Sequence, residues 1–356
     1  HFRAAGERGD SLQSQWQKRL DAYRTDHEAD ADELQRRLDG RLADGWDADL
    51  PQFAAEDGPI ATRAASGKAL NALATRLPEL MGGSADLAGS NKTDIDGEAD
   101  FNKGAYDARN IRFGIREHAM GAILNGMVLH RGFIPYGATS LIFSDYMRPA
   151  IRLAGLMGQP TVYVFSHDSI GLGEDGPTHQ PVEQLAALRA IPNVADLRPG
   201  DAAETEVAWR VAIERSDGPS FLALSRQKVT VLDRSGPHAS AEGLRRGGYV
   251  LTEASTDTPE VILIASGSEL GLAVEARERP ESEGVPTRVI SMPRWFLFGQ
   301  QDQSYRDEVL PPSVSNRVPV GAGSTFGWAR WVASPGPPLA LDHFAPSAPS
   351  PVPIRS

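Results

Sequence analysis

The sequence contains no cysteine, no long apolar run and no excess of basic residues. Without cysteine the chain has no disulfides, zinc–thiolate sites, iron–sulfur clusters or cysteine nucleophile, a composition typical of cytoplasmic proteins. No apolar run approaches the ~20 residues that cross a bilayer, and the amino-terminal segment is polar rather than signal-like. The net charge of −11 argues against a surface that binds nucleic acid. We therefore expect a cytoplasmic protein that binds neither membranes nor nucleic acid.

Two phosphate-binding motifs are also missing. The sequence has no G-x-x-x-x-G-K-[ST] and no convincing G-x-G-x-x-G after a strand-like run, so P-loop and Rossmann sites have no support. Arg63 and Arg226 are isolated basic residues whose forked side chains suit a phosphate. Taken singly, each is more simply a surface charge.

The length of 356 residues suggests two domains. The first part of the chain is charged and thinly apolar, and Leu34, Leu38 and Leu42 follow the i, i+4 spacing of one helix face. Ser, Gly, Pro and His accumulate at residues 233–243, which suggests a boundary. We predict three parts: a helical linker at 1–56, a first domain at 57–236 and a second, smaller domain at 237–356.

The middle of the chain alternates strand-like and helix-like runs. Residues 162–165 and 221–224 are apolar runs of strand length, and Asp201–Glu204 has the spacing of an acidic capping box that opens a helix between them. Strand, helix and strand in this order predict a parallel sheet, and ligands bind at the carboxyl edge of such sheets. His167 and Arg226 directly follow the two runs, so we expect both at that edge.

The pattern recurs beyond residue 243. Residues 261–264 and 288–290 predict two strands, with an apolar helix between them. The expected fold class is therefore α/β, with two parallel-sheet domains preceded by a helical linker. The Pro- and Ser-rich tail from Ser334 is expected to have little regular structure.

Three polar clusters are candidate sites. Residues 166–181 crowd two His, two Asp and a Glu into a glycine-rich loop after a strand, which favours a functional site over a solvated loop. Residues 114–120 open a helix, where Glu117 is more simply explained by its favourable interaction with the helix dipole. Residues 82–91 are rich in small residues and fit an ordinary turn as well as a ligand-binding loop.

Together, four segments resemble the transketolase family in order and spacing. They are Gly82–Asn91, Phe113–His118, His167–Pro181 and Leu224–Gln227. The last part of the chain is similar more loosely, through Ser291–Pro293 and Gly323–Trp328. The resemblance implies a thiamine diphosphate enzyme of the pentose phosphate pathway, which moves a two-carbon ketol unit from a ketose phosphate to an aldose phosphate. It identifies 57–236 as a pyrimidine-binding domain and 237–356 as a transketolase-type C-terminal α/β domain.

The resemblance also implies roles in cofactor binding. Glu117 matches the glutamate that hydrogen-bonds N1′ of the cofactor's pyrimidine ring and favours its imino tautomer, and this role replaces the helix-dipole interpretation. Phe143 and Tyr146 match aromatic residues that stack on the ring. Asp86 is placed in the cofactor-binding set in the same way.

The resemblance also implies roles in substrate binding. The resemblance gives His167 and His179 catalytic positions facing the substrate, and Asp175 a contact with a substrate hydroxyl. It assigns the sugar phosphate to a group formed by Arg63, Ser90 and Arg226. Anchoring a remote phosphate orients the reacting carbon.

Several family features are absent. Ser140 stands where the family usually has phenylalanine, and Gly321 where it has an acidic residue. There is no Gly-Asp-Gly, the family's marker of the domain that holds the diphosphate through Mg²⁺ (or Ca²⁺), and residues 1–56 look like the connector after that domain. The sequence, which begins at His1 rather than Met, is thus expected to be inactive alone and to need a homodimer partner or the amino-terminal half of the same enzyme. A β-type subunit of a split thiamine diphosphate enzyme and a non-catalytic dimerisation module stay open as alternatives.

Overall fold

Two sheets, each packed between helices, form the body of the protein in a computed structural model that describes residues 2–332 and 338–349. His1 and two parts of the tail predicted from Ser334 to lack regular structure, residues 334–337 and 350–356, lie outside the described residues. The described part of that tail, residues 338–349, contains no helix or strand, as predicted.

The amino-terminal arm is helical, as predicted, through α1 (Phe2–Asp26) and α2 (Glu28–Leu38). The prediction that Leu42 continues the helical face of Leu34 and Leu38 is wrong. The chain leaves the helix after Leu38, and Gly40 adopts a left-handed φ of 69°, which is a common way to end a helix. Leu42 packs instead against the core of the first sheet.

The first sheet has six parallel strands in the spatial order β2-β1-β3-β4-β6-β5. The strands are β1 (Leu80–Ser84), β2 (Asn110–Arg112), β3 (Ile134–Ser140), β4 (Val162–Ser166), β5 (Ala195–Leu197) and β6 (Ser220–Leu224). The two strands predicted at 162–165 and 221–224 are confirmed, and they are parallel neighbours. Their carboxyl ends therefore lie at one edge of the sheet.

Helices cover both faces of this sheet, as buried parallel strands require. They are α3 (Thr62–Arg76) and α8 (Ala202–Glu214) on one face, and α5 (Glu117–His130), α6 (Ser144–Met157) and α7 (Gln184–Arg189) on the other; the short α4 (Ala88–Asn91) follows β1. Alternate residues of β4 serve the two cores. Val162 and Val164 face α3 and α8, whereas Tyr163 and Phe165 face α5 and α6.

Helix α8 begins with the predicted acidic cap. Asp201 Oδ1 accepts a hydrogen bond from the Glu204 backbone N–H at 2.8 Å. Glu204 Oε2 in turn accepts from the Gly200 N–H at 2.7 Å, one residue before the cap. The two carboxylates thus satisfy two amide groups that the helix itself leaves unpaired.

Apolar side chains of α5 and α6 remain uncovered. Ile123 fits the apolar pattern of α5 in the sequence, yet it is 49% exposed. On α6 the exposed large apolar side chains are Tyr146, Leu153, Leu156 and Met157. Their spacing of i, i+7, i+10 and i+11 places them on one side of the helix. We call these four residues the α6 stripe.

The second sheet has four strands in the order β10-β8-β9-β7. They are β7 (Tyr249–Thr252), β8 (Val261–Ala265), β9 (Thr287–Ser291) and β10 (Arg317–Val320). Strands β8 and β9 confirm the runs at 261–264 and 288–290, and β8, β9 and β10 are parallel. The prediction of a wholly parallel sheet is wrong, because β7 is antiparallel to β9. Only residues 253–260 separate β7 from β8, whereas a parallel crossover needs about a dozen or more.

Three helices pack around the second sheet, namely α9 (Glu269–Ser282), α10 (Trp295–Phe298) and α11 (Gln303–Val309). Gly321 lies against Trp328, so that a Cβ at this position would approach the indole ring to 3.1 Å. The residue that departs from the family pattern here therefore serves packing. Within the described ranges, no helix combines the length and apolar composition needed to cross a membrane.

Candidate functional site

The candidate site lies at the carboxyl edge of the first sheet. Four neighbouring strands, β1, β3, β4 and β6, end there at Ser84, Ser140, Ser166 and Leu224. Two polar segments singled out in the sequence, residues 82–91 and 166–181, begin at the ends of β1 and β4, and residues 114–120 follow the adjacent strand β2. The edge of the sheet therefore gathers residues that are far apart in the chain, which confirms the expected position of His167 and Arg226.

Arg63 and Arg226 are held by hydrogen bonds between the start of α3 and the end of β6. The Ser225 N–H donates to Thr62 Oγ1 at 2.7 Å, and the Arg63 N–H donates to the Ser225 carbonyl at 3.4 Å. Each guanidinium then donates to a loop carbonyl: Arg63 to Ser90 at 2.7 Å and Arg226 to Leu172 at 3.1 Å.

The two guanidinium groups form a positive site that is not closed by a direct ion pair within the described residues. In the described part of the chain neither makes an ion pair. Burial and, second, the nearby charge of Arg226 lower the pKa of Arg63, which Asp175 partly opposes. Two forked cations that repel each other are suited to an anion with several oxygens, such as a phosphate.

His167 directly follows β4 beside this pair. Its backbone has a φ of 59°, a left-handed conformation that costs a residue other than glycine roughly 1–2 kcal/mol. Burial, followed by the charges of Arg63 and Arg226, lowers the pKa of the imidazole to about 4, although Asp175 opposes the shift. The ring is therefore neutral at pH 7, where it takes part in hydrogen bonding rather than in charge pairing.

His179 connects the basic group to two aromatic rings. Its ring centroid lies 5.6 Å from that of Phe143 in an edge-to-face arrangement, and Phe143 lies 6.0 Å from Tyr146. His179 is also near enough to His167 to lower the pKa of that residue. The structure thus joins the predicted aromatic residues to the predicted phosphate group, and Tyr146, which is 66% exposed, has a ring face available for stacking.

Glu117 and Asp86 lie at the same edge of the sheet but make no hydrogen bond to these groups. Glu117 is the first residue of α5 and only 8% exposed, and no donor among residues 2–332 and 338–349 bonds to its carboxylate. Asp86 is exposed in the loop after β1, where its φ is 63°. Glu117 therefore presents a carboxylate that no donor in the described ranges occupies and that is available to a ligand, at a helix N-terminus that favours its negative charge.

A buried ion-pair network beneath the loop at 166–181 escaped the reasoning from sequence. Arg198 Nε lies 2.8 Å from Asp168 Oδ2, and Arg198 Nη1 lies 2.5 Å from Glu269 Oε2. The network ties the residue next to His167 to the first turn of α9, in the second sheet's layer. Its members are separated by tens of residues, and no local pattern indicates their pairing.

The site combines two aromatic rings with two guanidinium groups. Among the residues described, no cluster of three or more His, Asp or Glu side chains is arranged to bind a metal. A cavity of about 420 Å³ lies at the opposite edge of the sheet, where its wall includes Arg131 and Glu79. None of the candidate residues lines that cavity.

Comparisons with known proteins agree with the geometry. Residues 58–231 match the family model of the transketolase pyrimidine-binding domain, and residues 247–355 match the transketolase-like C-terminal domain. The transketolase of Geobacillus stearothermophilus is 51% identical over 350 residues, which cover 98% of this chain and 52% of the relative.

Two solved structures are informative. The transketolase of Pichia stipitis in complex with sedoheptulose 7-phosphate is 40% identical, with a TM-score of 0.91 over 98% of this chain and 51% of that one. A split-gene transketolase, described as an inactive β4 tetramer, is 28% identical, with a TM-score of 0.60 over 76% of this chain and 82% of that one. This chain therefore spans about half the length of the curated relatives it matches.

Proposed function

Because this chain belongs to the transketolase family, we propose that it supplies the pyrimidine-binding and sugar-binding half of an active site that transfers a two-carbon ketol unit. The donor is a ketose phosphate and the acceptor an aldose phosphate, as in the pentose phosphate pathway. The proposal keeps 1–56 as a linker, 57–236 as the pyrimidine-binding domain and 237–356 as the C-terminal domain. It also keeps the cytoplasmic location expected from the composition.

The observation that carries the proposal is the pair of unneutralised arginines beside a neutral His167. We assign the substrate phosphate to Arg63, Ser90, His167 and Arg226. Binding the phosphate at one end of the sugar positions the reacting carbons at its other end. His179 lies between this grip and the aromatic rings, so we assign His179 and Asp175 to the substrate's hydroxyl and carbonyl oxygens, where they orient the substrate and move protons.

Thiamine diphosphate is the proposed cofactor, and this chain fits its pyrimidine end. Phe143 and Tyr146 offer adjacent ring faces, 6.0 Å between centroids. Glu117, which is only 8% exposed, offers a carboxylate that accepts no hydrogen bond within the described residues, suited to hold a proton at a ring nitrogen. Ser140, at the end of β3, contributes no ring, and Asp86 is assigned to the cofactor's remaining contacts. When bound, the cofactor supplies a nucleophilic carbon and an electron sink for breaking the bond beside a ketose carbonyl.

The diphosphate end does not fit this chain. A Mg²⁺ or Ca²⁺ ion requires several carboxylate and other oxygen ligands, and the described residues bring no such cluster together. We assign the metal and the diphosphate to a separate diphosphate-binding domain, and we infer that the isolated chain is inactive.

We propose the α6 stripe as the surface that binds a partner. It begins at Tyr146, within the aromatic group, and continues along α6 through three further exposed apolar residues. Contiguous exposed apolar surface of this kind marks protein interfaces. We propose that the stripe packs against a second copy in a homodimer, or against the amino-terminal half of the same enzyme.

Calorimetry tests the division of the site. Thiamine diphosphate and Mg²⁺ are titrated into this chain alone, and into the chain mixed with the part of the Geobacillus enzyme that it does not cover. We expect tight, Mg²⁺-dependent binding only in the mixture. Tight binding to the chain alone would contradict the proposal.

A β-type subunit of a split enzyme is the second candidate. It is favoured by the match to a split-gene transketolase chain, of which this chain covers 82%. The proposed chemistry is the same, and only the covalent connection differs. Sequencing the gene upstream of the codon for His1 separates the two: an in-frame Gly-Asp-Gly domain supports a single long chain, and a separate neighbouring gene supports the split form.

A further inference from the structure

A chain of buried side-chain hydrogen bonds leads from the end of β1 to the ring of His167. The single hydroxyl hydrogen of Ser84 has two acceptors, Asn91 Oδ1 at 2.7 Å and the Ala138 carbonyl at 3.0 Å, of which Asn91 is the nearer. Asn91 Nδ2 donates to Ser166 Oγ at 2.7 Å. Ser166 Oγ lies 2.7 Å from His167 Nδ1. These hydrogen bonds link the end of β1 to the end of β4 through Asn91 of α4, and they terminate on a residue to which we have assigned a substrate phosphate.

The three residues that lead to His167 through these hydrogen bonds are shielded from solvent. Asn91 and Ser166 are fully buried, and Ser84 is 2% exposed. In such surroundings a polar group that loses its partner pays the full cost of desolvation, roughly 1–3 kcal/mol. The hydrogen bonds are therefore persistent, and their polarity matters more than that of hydrogen bonds in water.

The donor-to-acceptor direction of these hydrogen bonds determines which nitrogen of the imidazole carries the proton. A serine hydroxyl has one hydrogen to donate. Ser166 Oγ already accepts from the Asn91 amide, and in the described part of the chain His167 Nδ1 is the only other group within hydrogen-bond distance of it. The hydroxyl hydrogen therefore points at Nδ1, which must accept, so that Nε2 carries the proton of the neutral ring.

The proton on Nε2 gives His167 a donor for the anion site. The charged and titratable groups that face the ring are Arg63, Arg226, Asp175 and His179. Because Nδ1 is occupied by Ser166, Nε2–H is the free donor of the ring. A neutral N–H donor beside two guanidinium groups adds a directed hydrogen bond to a phosphate without adding a third repelling cation.

We propose that Asn91 is a positioning residue which, through Ser166, holds His167 in its Nε2-protonated tautomer, so that the ring donates a hydrogen bond to the substrate phosphate. The assignment of the phosphate to His167 rests on the proposed function; the tautomer does not. Asn91 touches neither substrate nor cofactor in this account. It acts by fixing the direction of one hydroxyl group.

The variant Asn91→Asp is expected to reverse the donor-to-acceptor direction of these hydrogen bonds. A carboxylate cannot donate, so its oxygens accept from Ser84 and from Ser166. Ser166 Oγ must then accept from His167 Nδ1–H, and the ring moves to the other tautomer. Ser166→Ala removes the link without burying a charge, and it is expected to leave a mixture of tautomers. Asn125→Asp, at a buried asparagine on α5 that bonds to the Ala150 carbonyl, is the matched control for burying a carboxylate.

The test uses the ¹⁵N-histidine-labelled chain and long-range ¹H–¹⁵N NMR at pH 7, with His167→Gln to assign the signals. For His167 we expect a pyridine-type Nδ1 and a pyrrole-type Nε2 in the wild type and in the Asn125→Asp control. Asn91→Asp is expected to exchange the two types, and Ser166→Ala to average them. A protonated Nδ1 in the wild type, or an unchanged tautomer in both variants, would overturn the proposal.

A kinetic measurement adds a readout of the phosphate contact. With the diphosphate-binding half supplied, Asn91→Asp, which removes the proton from Nε2, is expected to raise KM for a ketose phosphate about tenfold, the effect of one lost hydrogen bond to a charged group, with little change in kcat. KM for the unphosphorylated ketose should not change. An equal rise for both sugars would overturn the role of the tautomer. If the NMR result holds but no ketol transfer occurs, the proposed function fails and the tautomer assignment stands.

Discussion

Replacing His167 by glutamine is expected to change how the stability of the protein depends on pH. Burial and the charges of Arg63 and Arg226 lower the pKa of His167 to about 4 in the folded protein, against an ordinary value of 6.5. Between these values the unfolded chain binds a proton that the folded chain does not. The stability associated with the neutral ring is therefore complete above pH 6.5 and is lost as the pH falls towards 4.

The two pKa values set the size of the effect. From pH 7 to pH 5 this single group should remove about 2 kcal/mol of unfolding free energy, and about 3 kcal/mol once the pH is below 4. Glutamine has no proton to gain in this range. His167→Gln should therefore lose about 2 kcal/mol less than the wild type between pH 7 and pH 5, whatever its stability at pH 7.

Urea unfolding, followed by tryptophan fluorescence at pH 7, 6 and 5, measures the difference between wild type and variant. The comparison removes the contributions of all other titrating groups. His130→Gln, at an exposed histidine that ends α5, is the control and should follow the wild type. Parallel pH dependences of wild type and His167→Gln would refute the reasoning, as would an NMR titration of His167 with a midpoint near 6.5.

Three further predictions concern the ion-pair network, the phosphate grip and the cofactor contact. Arg198→Met leaves the carboxylates of Asp168 and Glu269 unpaired, so the free energy of unfolding, measured in urea at pH 7, should fall by about 3–5 kcal/mol. A decrease below about 1 kcal/mol would count against the network. Arg226→Lys keeps the charge but loses the fork, so KM for a ketose phosphate should rise about tenfold in the reconstituted enzyme; the same rise for an unphosphorylated ketose would argue against a phosphate contact. Glu117→Gln should lower ketol transfer at least about 100-fold with an unchanged circular dichroism spectrum, and retained activity would exclude its proton-sharing role.

Local patterns predict much of the fold. The apolar runs at 162–165 and 221–224 form neighbouring parallel strands, and the acidic pair Asp201 and Glu204 caps the helix between them. These features depend on residues close together in the chain. Strand β7 runs opposite to its neighbour because of the short connection to β8, and nothing in the composition of the strand itself reveals its direction.

The candidate site is predictable in part. His167 and Arg226 follow strand-like runs, so their place at the carboxyl edge follows from the sequence. Asn91 lies within a recognisable motif, but its partner Ser166 is 75 residues away, and only the folded structure shows that the two meet. Arg198 and Glu269 belong to layers of different sheets, so their pairing depends on how those layers pack.

The transfer of labelled carbon tests the central claim most directly. Sedoheptulose 7-phosphate, labelled with ¹³C at C1 and C2, is mixed with an aldose phosphate acceptor, thiamine diphosphate, Mg²⁺, this chain and the diphosphate-binding part of the Geobacillus enzyme. We predict that both labelled carbons appear together at C1 and C2 of a new ketose phosphate, two carbons longer than the acceptor, while an unlabelled five-carbon aldose phosphate is released. Label that stays in the donor, in an assay where the complete Geobacillus enzyme transfers it, would contradict the proposed function.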